Sequence, residues 1–377
     1  MIFRAPILLI ALLCVAATVQ AQPSDDPNFR PPAEESTVDS GPLSMTVGGT
    51  MVGPTWLSGH SGFAVGLEAI RVAPLGTSQE NTPSMHRWLG LYALNGRWRF
   101  QSRSDFFWGA NRWHAELEPR YDGLRTVYRG IGNPAPFPAT EHYEPSDFRL
   151  RSALYRRLTG PLRMGVIYDL QDHRVHETDA DGQLPLDAGL MAQQGTVAGV
   201  GLAFGLDTRN ALFNPSRGLF GQISAVHFSD QLGGHQRFDE YEIDLRSYLP
   251  LATDHTLAWQ GYALVSRGST PFWRLPSVGE LPHSRAYDAL RLRAKTLVAA
   301  QLEWRWRISR RIGCEVYAGA AGIDDDLGSL RSDLLLPTVG ASLRIFRAMN
   351  GELVPMRIGA AWGDDGWRME VGVGDAF

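Results

Sequence analysis

The chain has 377 residues, 44% hydrophobic and 20% charged, with a formal net charge of −4, 40 glycines and two cysteines. So small a net charge argues against nucleic acid as a partner, and beyond one N-terminal stretch there is no run of the roughly 18 apolar residues that a spanning helix needs. A mean hydropathy of −0.18 would suit a soluble protein, so the arrangement of apolar residues, rather than their number, must reveal the class.

Residues 1–21 read as a cleaved signal peptide. Arg4 precedes an apolar stretch from Ala5 to Thr18, too short to span a bilayer, and Val19-Gln20-Ala21 supplies a small residue for cleavage after Ala21. A lipoprotein signal at Cys14 is disfavoured because Leu13 is bulky where a small residue belongs. Cys314 is then the one cysteine of the exported chain, so no internal disulfide can form. Residues 22–41 are acidic and proline-rich and read as a disordered periplasmic lead-in, too short for a folded domain.

From residue 42 to 377 the chain becomes a succession of segments with a period of two. In 113–121, Trp113, Ala115, Leu117 and Tyr121 oppose His114, Glu116, Glu118 and Arg120; in 162–171, Leu162, Met164, Val166, Tyr168 and Leu170 oppose Arg163, Asp169 and Gln171. In 196–206, Ala198, Val200, Leu202, Phe204 and Leu206 oppose glycines and Ala203; in 238–249, Tyr241, Ile243 and Leu245 oppose Glu240, Glu242, Asp244 and Arg246. In 297–308, Leu302, Trp304, Trp306 and Ile308 oppose Gln301, Glu303, Arg305 and Arg307, and in the closing segment Trp367, Met369, Val371 and Val373 alternate with Arg368, Glu370, Gly372 and Gly374 before the terminal Phe377. A soluble sandwich also alternates, but charges of both signs on one face and bulky aromatics on the other fit a wet lumen and a lipid-facing wall. The reading is all-β: a transmembrane antiparallel β-barrel of about sixteen strands, with 43–52 and 124–129 the doubtful segments. Short breaks at 158–161 and 363–366 are expected at the periplasmic rim, and long loops at 172–194, 268–295 and 321–336 at the outer one.

Candidate chemistry is sparse. His173, His176, Glu177, Asp179 and Asp181 form a polar group in an expected loop, without the ligand spacing of a calcium or zinc site. Asp324-Asp325-Asp326 could bridge to lipopolysaccharide through divalent ions, although a charged loop tip accounts for it. Ser224 and His227 differ by three positions and cannot share a strand face. No cofactor, metal site or enzyme activity is expected.

Four stretches carry a family resemblance. Gly205-Leu206-Asp207-Thr208-Arg209-Asn210-Ala211-Leu212-Phe213-Asn214-Pro215-Ser216-Arg217-Gly218 resembles the Asp-Thr-Arg-Asp…Pro-x-x-Gly turn of the BamA/TamA family, the bacterial surface antigen barrels. Leu275-Pro276-Ser277-Val278-Gly279…Ser284-Arg285-Ala286-Tyr287 is similar to that family's long-loop Arg-Gly-Tyr/Phe segment, and Ala300-Gln301-Leu302-Glu303-Trp304-Arg305 to the strand after it. Tyr128-Arg129-Gly130-Ile131-Gly132-Asn133-Pro134 resembles a loop of barrel-only members. Residues of the first stretch also make physical sense as a turn: Pro215 and Gly218 tighten it, and Asp207 can hold Arg209 by a charge-assisted bond. The resemblance implies a Gram-negative outer-membrane location, contact with lipid and lipopolysaccharide, and biogenesis through the barrel-assembly machinery with Phe377 as an assembly signal. It also implies a loop arginine that enters the lumen, here Arg285 against Glu303 or Glu315. Two departures stand out: Ala286 replaces a family glycine, and Ala320 replaces a family acid. The lead-in is also short for the family's client-binding domains. Three functions stay open: an assembly or translocation barrel with a weak seam, a passive porin-like channel, and a structural or adhesive surface barrel.

Overall fold

The computed structural model describes residues 45–47, 50–59, 62–75, 81–128, 130–132, 141–178, 184, 194–279, 284–287, 292–349, 352–364 and 366–374. The expected signal peptide and lead-in, Asp179, Asp181 and Phe377 lie outside these residues.

Among the described residues sixteen strands form one antiparallel meander, each paired to its neighbours in sequence. The first half comprises β1 (Thr50–Gly59), β2 (Gly62–Ala73), β3 (Ser84–Ala93), β4 (Trp98–Trp108), β5 (Trp113–Asp122), β6 (Glu141–Arg157), β7 (Leu162–Thr178) and β8 (Gly195–Asp207). The second comprises β9 (Gly218–Phe228), β10 (Phe238–Ala252), β11 (His255–Gly268), β12 (Thr296–Arg307), β13 (Ile312–Asp324), β14 (Leu336–Met349), β15 (Glu352–Gly363) and β16 (Gly366–Val373). Four short segments add to them. Met45–Val47 pairs with β1 and Thr126–Tyr128 with β6, while Ser277–Val278 pairs with Leu292–Arg293 inside the β11–β12 loop.

The period of two sorts side chains as the sequence implies. On β10, Tyr241 and Ile243 are exposed on the outer face while Glu240 and Asp244 are buried on the inner one. Val166, Leu202, Ile223, Leu302 and Leu343 continue the outer apolar band on other strands of the wall. Toward one rim this band ends in His255, Trp304 and Trp306, whose rings stack at 5.4–6.4 Å.

Three expectations need correction. The 172–194 loop begins later, because β7 runs to Thr178 and pairs with a 17-residue β6. Such strands exceed the roughly 9–11 residues that cross a bilayer. Beyond the band the outward positions turn polar, at Asp172, Arg174 and His176, so the alternation that marks a spanning strand disappears. Likewise β13 continues to Asp324, shortening the 321–336 loop. The 158–161 and 363–366 turns lie at opposite rims, since an odd number of strands, β7 to β15, separates them; turn length alone misplaced the second.

The third correction concerns the seam. Val373 shares its strand face with exposed Trp367 and Met369 yet is itself buried. It joins a cluster with Val354 and Met356 of β15, Met51 of β1, and Ile70 and Val72 of β2. Met51 and Ile70 are cross-strand partners, and Ile70 faces the lumen. The outer face of the last strands therefore packs under the inner face of the first ones. Among the described residues no ladder joins β16 to β1; the wall's ends meet by apolar overlap. Gly374 ends the last strand with φ +83°, a left-handed conformation that glycine adopts without strain. Its N–H donates to the Pro355 carbonyl at 2.7 Å and its own carbonyl accepts from Arg357 Nε at 2.9 Å.

Candidate functional site

The β11–β12 loop, residues 269–295, is too apolar at its start to stay in water: Phe272, Trp273 and Leu275 are all buried. Its described residues fold into the lumen and grip the wall through three arginines. Arg274 meets β10 and β7, its Nε and Nη2 lying 2.6 and 2.8 Å from the two Glu240 oxygens and Nη2 2.8 Å from Asp169 Oδ2. Arg293 donates to the Tyr143 hydroxyl at 3.0 Å and lies among the rings of Tyr128, Tyr143 and Phe272 at 5.5–5.9 Å.

Arg285 reaches the far wall. Its Nη2 is 2.7 Å from Glu303 Oε2 on β12, its Nη1 3.2 Å from Glu315 Oε1 on β13, and its guanidinium lies 3.9 Å above the Tyr317 ring. Both partners named from the sequence are thus used at once. Both glutamate side chains are fully shielded, and each holds a further cation: Arg305 Nε is 2.5 Å from Glu303, Arg344 Nε 3.4 Å from Glu315 and Arg357 Nη1 3.6 Å from Glu315. Four guanidiniums surround two carboxylates. The excess charge meets oxygen dipoles, the Pro215 carbonyl for Arg305 and Asn214 Oδ1 for Arg344, with the Gly374 carbonyl serving Arg357 in the same way.

The departures at Ala286 and Ala320 have local answers. Ala286 is fully buried, and a Cβ placed on Gly363 would come within 2.8 Å of the Ala286 methyl. Glycine at 363 therefore makes the room that alanine at 286 takes. Tyr287 next to it donates to the Pro337 carbonyl at 2.6 Å. Ala320 falls on the outer face, out of step with inward Glu315 and Tyr317, so an acid there would not have met the loop.

In the β8–β9 turn, Asp207 and Arg209 form a two-armed pair at 2.9 and 2.8 Å, and Arg209 stacks on Phe220 at 4.6 Å. Gly218 has φ +106°, and a Cβ there would come within 2.3 Å of the Thr208 carbonyl oxygen. Gly218→Ala is expected to destabilise the barrel by about 1–3 kcal/mol through that strain, read as a lower temperature of heat modification on gels. An unchanged temperature would show that the turn relaxes freely.

A cavity of about 590 Å³ lies between the loop and the turn, bounded by Trp273 and Arg274 on one side and Leu212 and Phe213 on the other. Several of its wall charges are paired with each other, Arg149 with Asp169, Arg151 with Glu242 and Arg246 with Asp244, while Arg163 donates to Gln222 Oε1. Two of these contacts, Arg151 with Glu242 and Arg163 with Gln222, join strands that are not neighbours in the wall.

Comparison with known proteins follows from this geometry. No family model matches the sequence, and no curated protein does. BamA from Haemophilus ducreyi lacking POTRA domains 1-3 matches with a TM-score of 0.51 at 12% identity, covering 86% of this chain and 68% of that one. CdiB from Escherichia coli matches with a TM-score of 0.56 at 13% identity, covering 87% of this chain and 62% of its own. The chain has the BamA/TamA barrel fold.

In this BamA/TamA-like barrel the sequence pointed to Arg285, Glu303 and Glu315, which the structure brings together. It missed Arg274, Arg293 and the inward reach of residues 212–215. Their signals were present as the apolar runs Phe272-Trp273-Arg274-Leu275 and Ala211-Leu212-Phe213, which are out of place in solvated connections. His173 lies within β7 rather than in a loop; its Nδ1 is 2.8 Å from Asp147 Oδ2 and its ring stacks on Trp273, so it buttresses the loop. Among the described residues Asp105, His114 and Glu116 could converge on a metal. However, His114 Nε2 is 2.9 Å from Asp105 Oδ1, and Arg163 Nη1 donates to Nδ1 at 3.1 Å. With Nδ1 accepting, Nε2 carries the proton and has no lone pair to offer, which makes the group a structural hydrogen-bond set. Asp326 is taken up in an exposed ion pair with Arg267 at 2.7 Å.

Proposed function

We propose that this chain is an integral barrel of a Gram-negative outer membrane, exported by a signal in residues 1–21 and linked through residues 22–41 to the periplasmic side. It acts in membrane assembly or translocation from a resting state in which the loop fills the lumen and the seam stays weak. The observation that carries the reading is the loop's double attachment, with Arg274 and Arg285 buried against acids on opposite parts of the wall. An open channel would leave such charges in water, whereas here they are spent on holding a plug. In this reading Arg285, Glu303 and Glu315 form the loop lock.

Planar-bilayer recording on the purified protein tests it. Near-closed traces with brief flickers are the expected result. A steady, large conductance would instead assign the chain to passive channels, and insertion without conductance or seam opening of any kind would favour a structural barrel. Strand-to-strand hydrogen bonding inside a membrane also predicts a heat-modifiable protein recovered with outer membranes; recovery in native form from the soluble periplasm would rule the proposal out.

A further inference from the structure

Residues 208–217 join β8 to β9 at the rim shared with the end of β16, yet they do not stay at that rim. Their base is rigid: besides the Asp207–Arg209 pair, Asn210 Oδ1 accepts from the N–H groups of Ser216 and Arg217 at 3.0 and 3.1 Å. From this base the tip crosses to strands far along the chain. The Leu212 N–H donates to Glu352 Oε2 on β15 at 3.3 Å, Asn214 Oδ1 accepts from Arg344 Nη2 on β14 at 3.1 Å, and the Pro215 carbonyl accepts from Arg305 Nη1 on β12 at 3.3 Å. Phe213, buried, joins the seam cluster itself, together with Met51 and Ile70 from the first strands and Val354 and Val373 from the last.

We infer that this turn is an inner bolt: it holds the two ends of the wall together and must withdraw before they part. The seam is closed by apolar overlap without a ladder among the described residues, so its strength depends on how completely that overlap is filled. Phe213 fills it from below, while the polar contacts fix Phe213 to β12, β14 and β15. Arg305 and Arg344 hold the bolt with the same guanidiniums that hold Glu303 and Glu315, the two acids that also receive Arg285. The loop from one rim and the bolt from the other thus share one charge cluster. The inference requires only the barrel; it stands whether or not the protein handles a polypeptide client.

Cysteine cross-linking tests it, in a Cys314→Ser background. A Met51→Cys/Val373→Cys pair reports the seam, and its cross-linking yield is expected to fall several-fold when Phe213→Ala is added. Unchanged yield in a folded, heat-modifiable Phe213→Ala protein would overturn the inference. A second pair, Leu212→Cys with Glu352→Cys, fastens the bolt to β15 while leaving Phe213 in place. Oxidising it is expected to suppress bilayer flickers and reduction to restore them; equal flicker frequency in the two states would also overturn the inference, even if the alanine variant failed to fold.

Discussion

Replacing Arg285 by alanine is expected to destabilise the barrel by about 3–5 kcal/mol, because two buried carboxylates lose a shared partner. Glu303 and Glu315 have no exposed side-chain surface through which water could compensate. The Tyr317 ring loses its cation as well, at 3.9 Å in the parent. The protein should unfold at a lower temperature and show a higher open probability in bilayers as the middle of the loop comes free. A charge swap, Arg285→Glu with Glu303→Arg, is not expected to rescue it: Glu303 also neutralises Arg305 at 2.5 Å, and an arginine at 303 would face that cation. Arg285→Ala/Glu303→Gln is the informative double variant: it also takes from Arg305 its carboxylate at 2.5 Å, so it should be no more stable than Arg285→Ala. If Arg285→Ala matched the parent in both assays, the loop arginine would play no part in holding the lumen closed.

The second large effect is expected at Arg274. It joins Asp169 and Glu240, side chains almost wholly shielded from solvent, through contacts of 2.6–2.8 Å. Arg274→Ala leaves Glu240 without its two short bonds, while Asp169 retains Arg149 at 2.7 Å. The loss is again about 3–5 kcal/mol for breaking a buried pair. Arg274→Lys should do only modestly better, because an ammonium cannot reproduce a fork that touches two carboxylates and Gln171 together. Protease accessibility of the first part of the loop offers an independent readout: cleavage after Phe272 or Trp273 should appear in Arg274→Ala and stay absent from Arg285→Ala if the two anchors hold separate portions. Identical cleavage patterns would mean that the loop is released as one piece.

Much of this was legible in the residues. Dyad alternation in segments such as 238–249 showed which side chains point outward and which face the lumen, since a strand has only two faces. The Arg285 segment and Asp207–Gly218 were picked out through the family resemblance that those stretches carry; composition alone does not single out Arg285, since the same loop also holds Arg274, Arg291 and Arg293. Strand ends were less legible. Where β7 leaves the apolar band, both faces become polar, and His173 read as part of a loop.

The sequence by itself determined the all-β class, the inward acids and the outward aromatics, because burial of alternate positions is a local property of an extended chain. Only the tertiary structure decided that Arg274 would face Asp169 and Glu240, that Phe213 would reach a seam built from the first and last strands, and that Val373 would be covered rather than exposed. Those outcomes depend on how a sixteen-strand wall curls until its ends overlap, and on which segments cross the space it encloses. No spacing between residues 213 and 51, or 274 and 169, encodes that curvature.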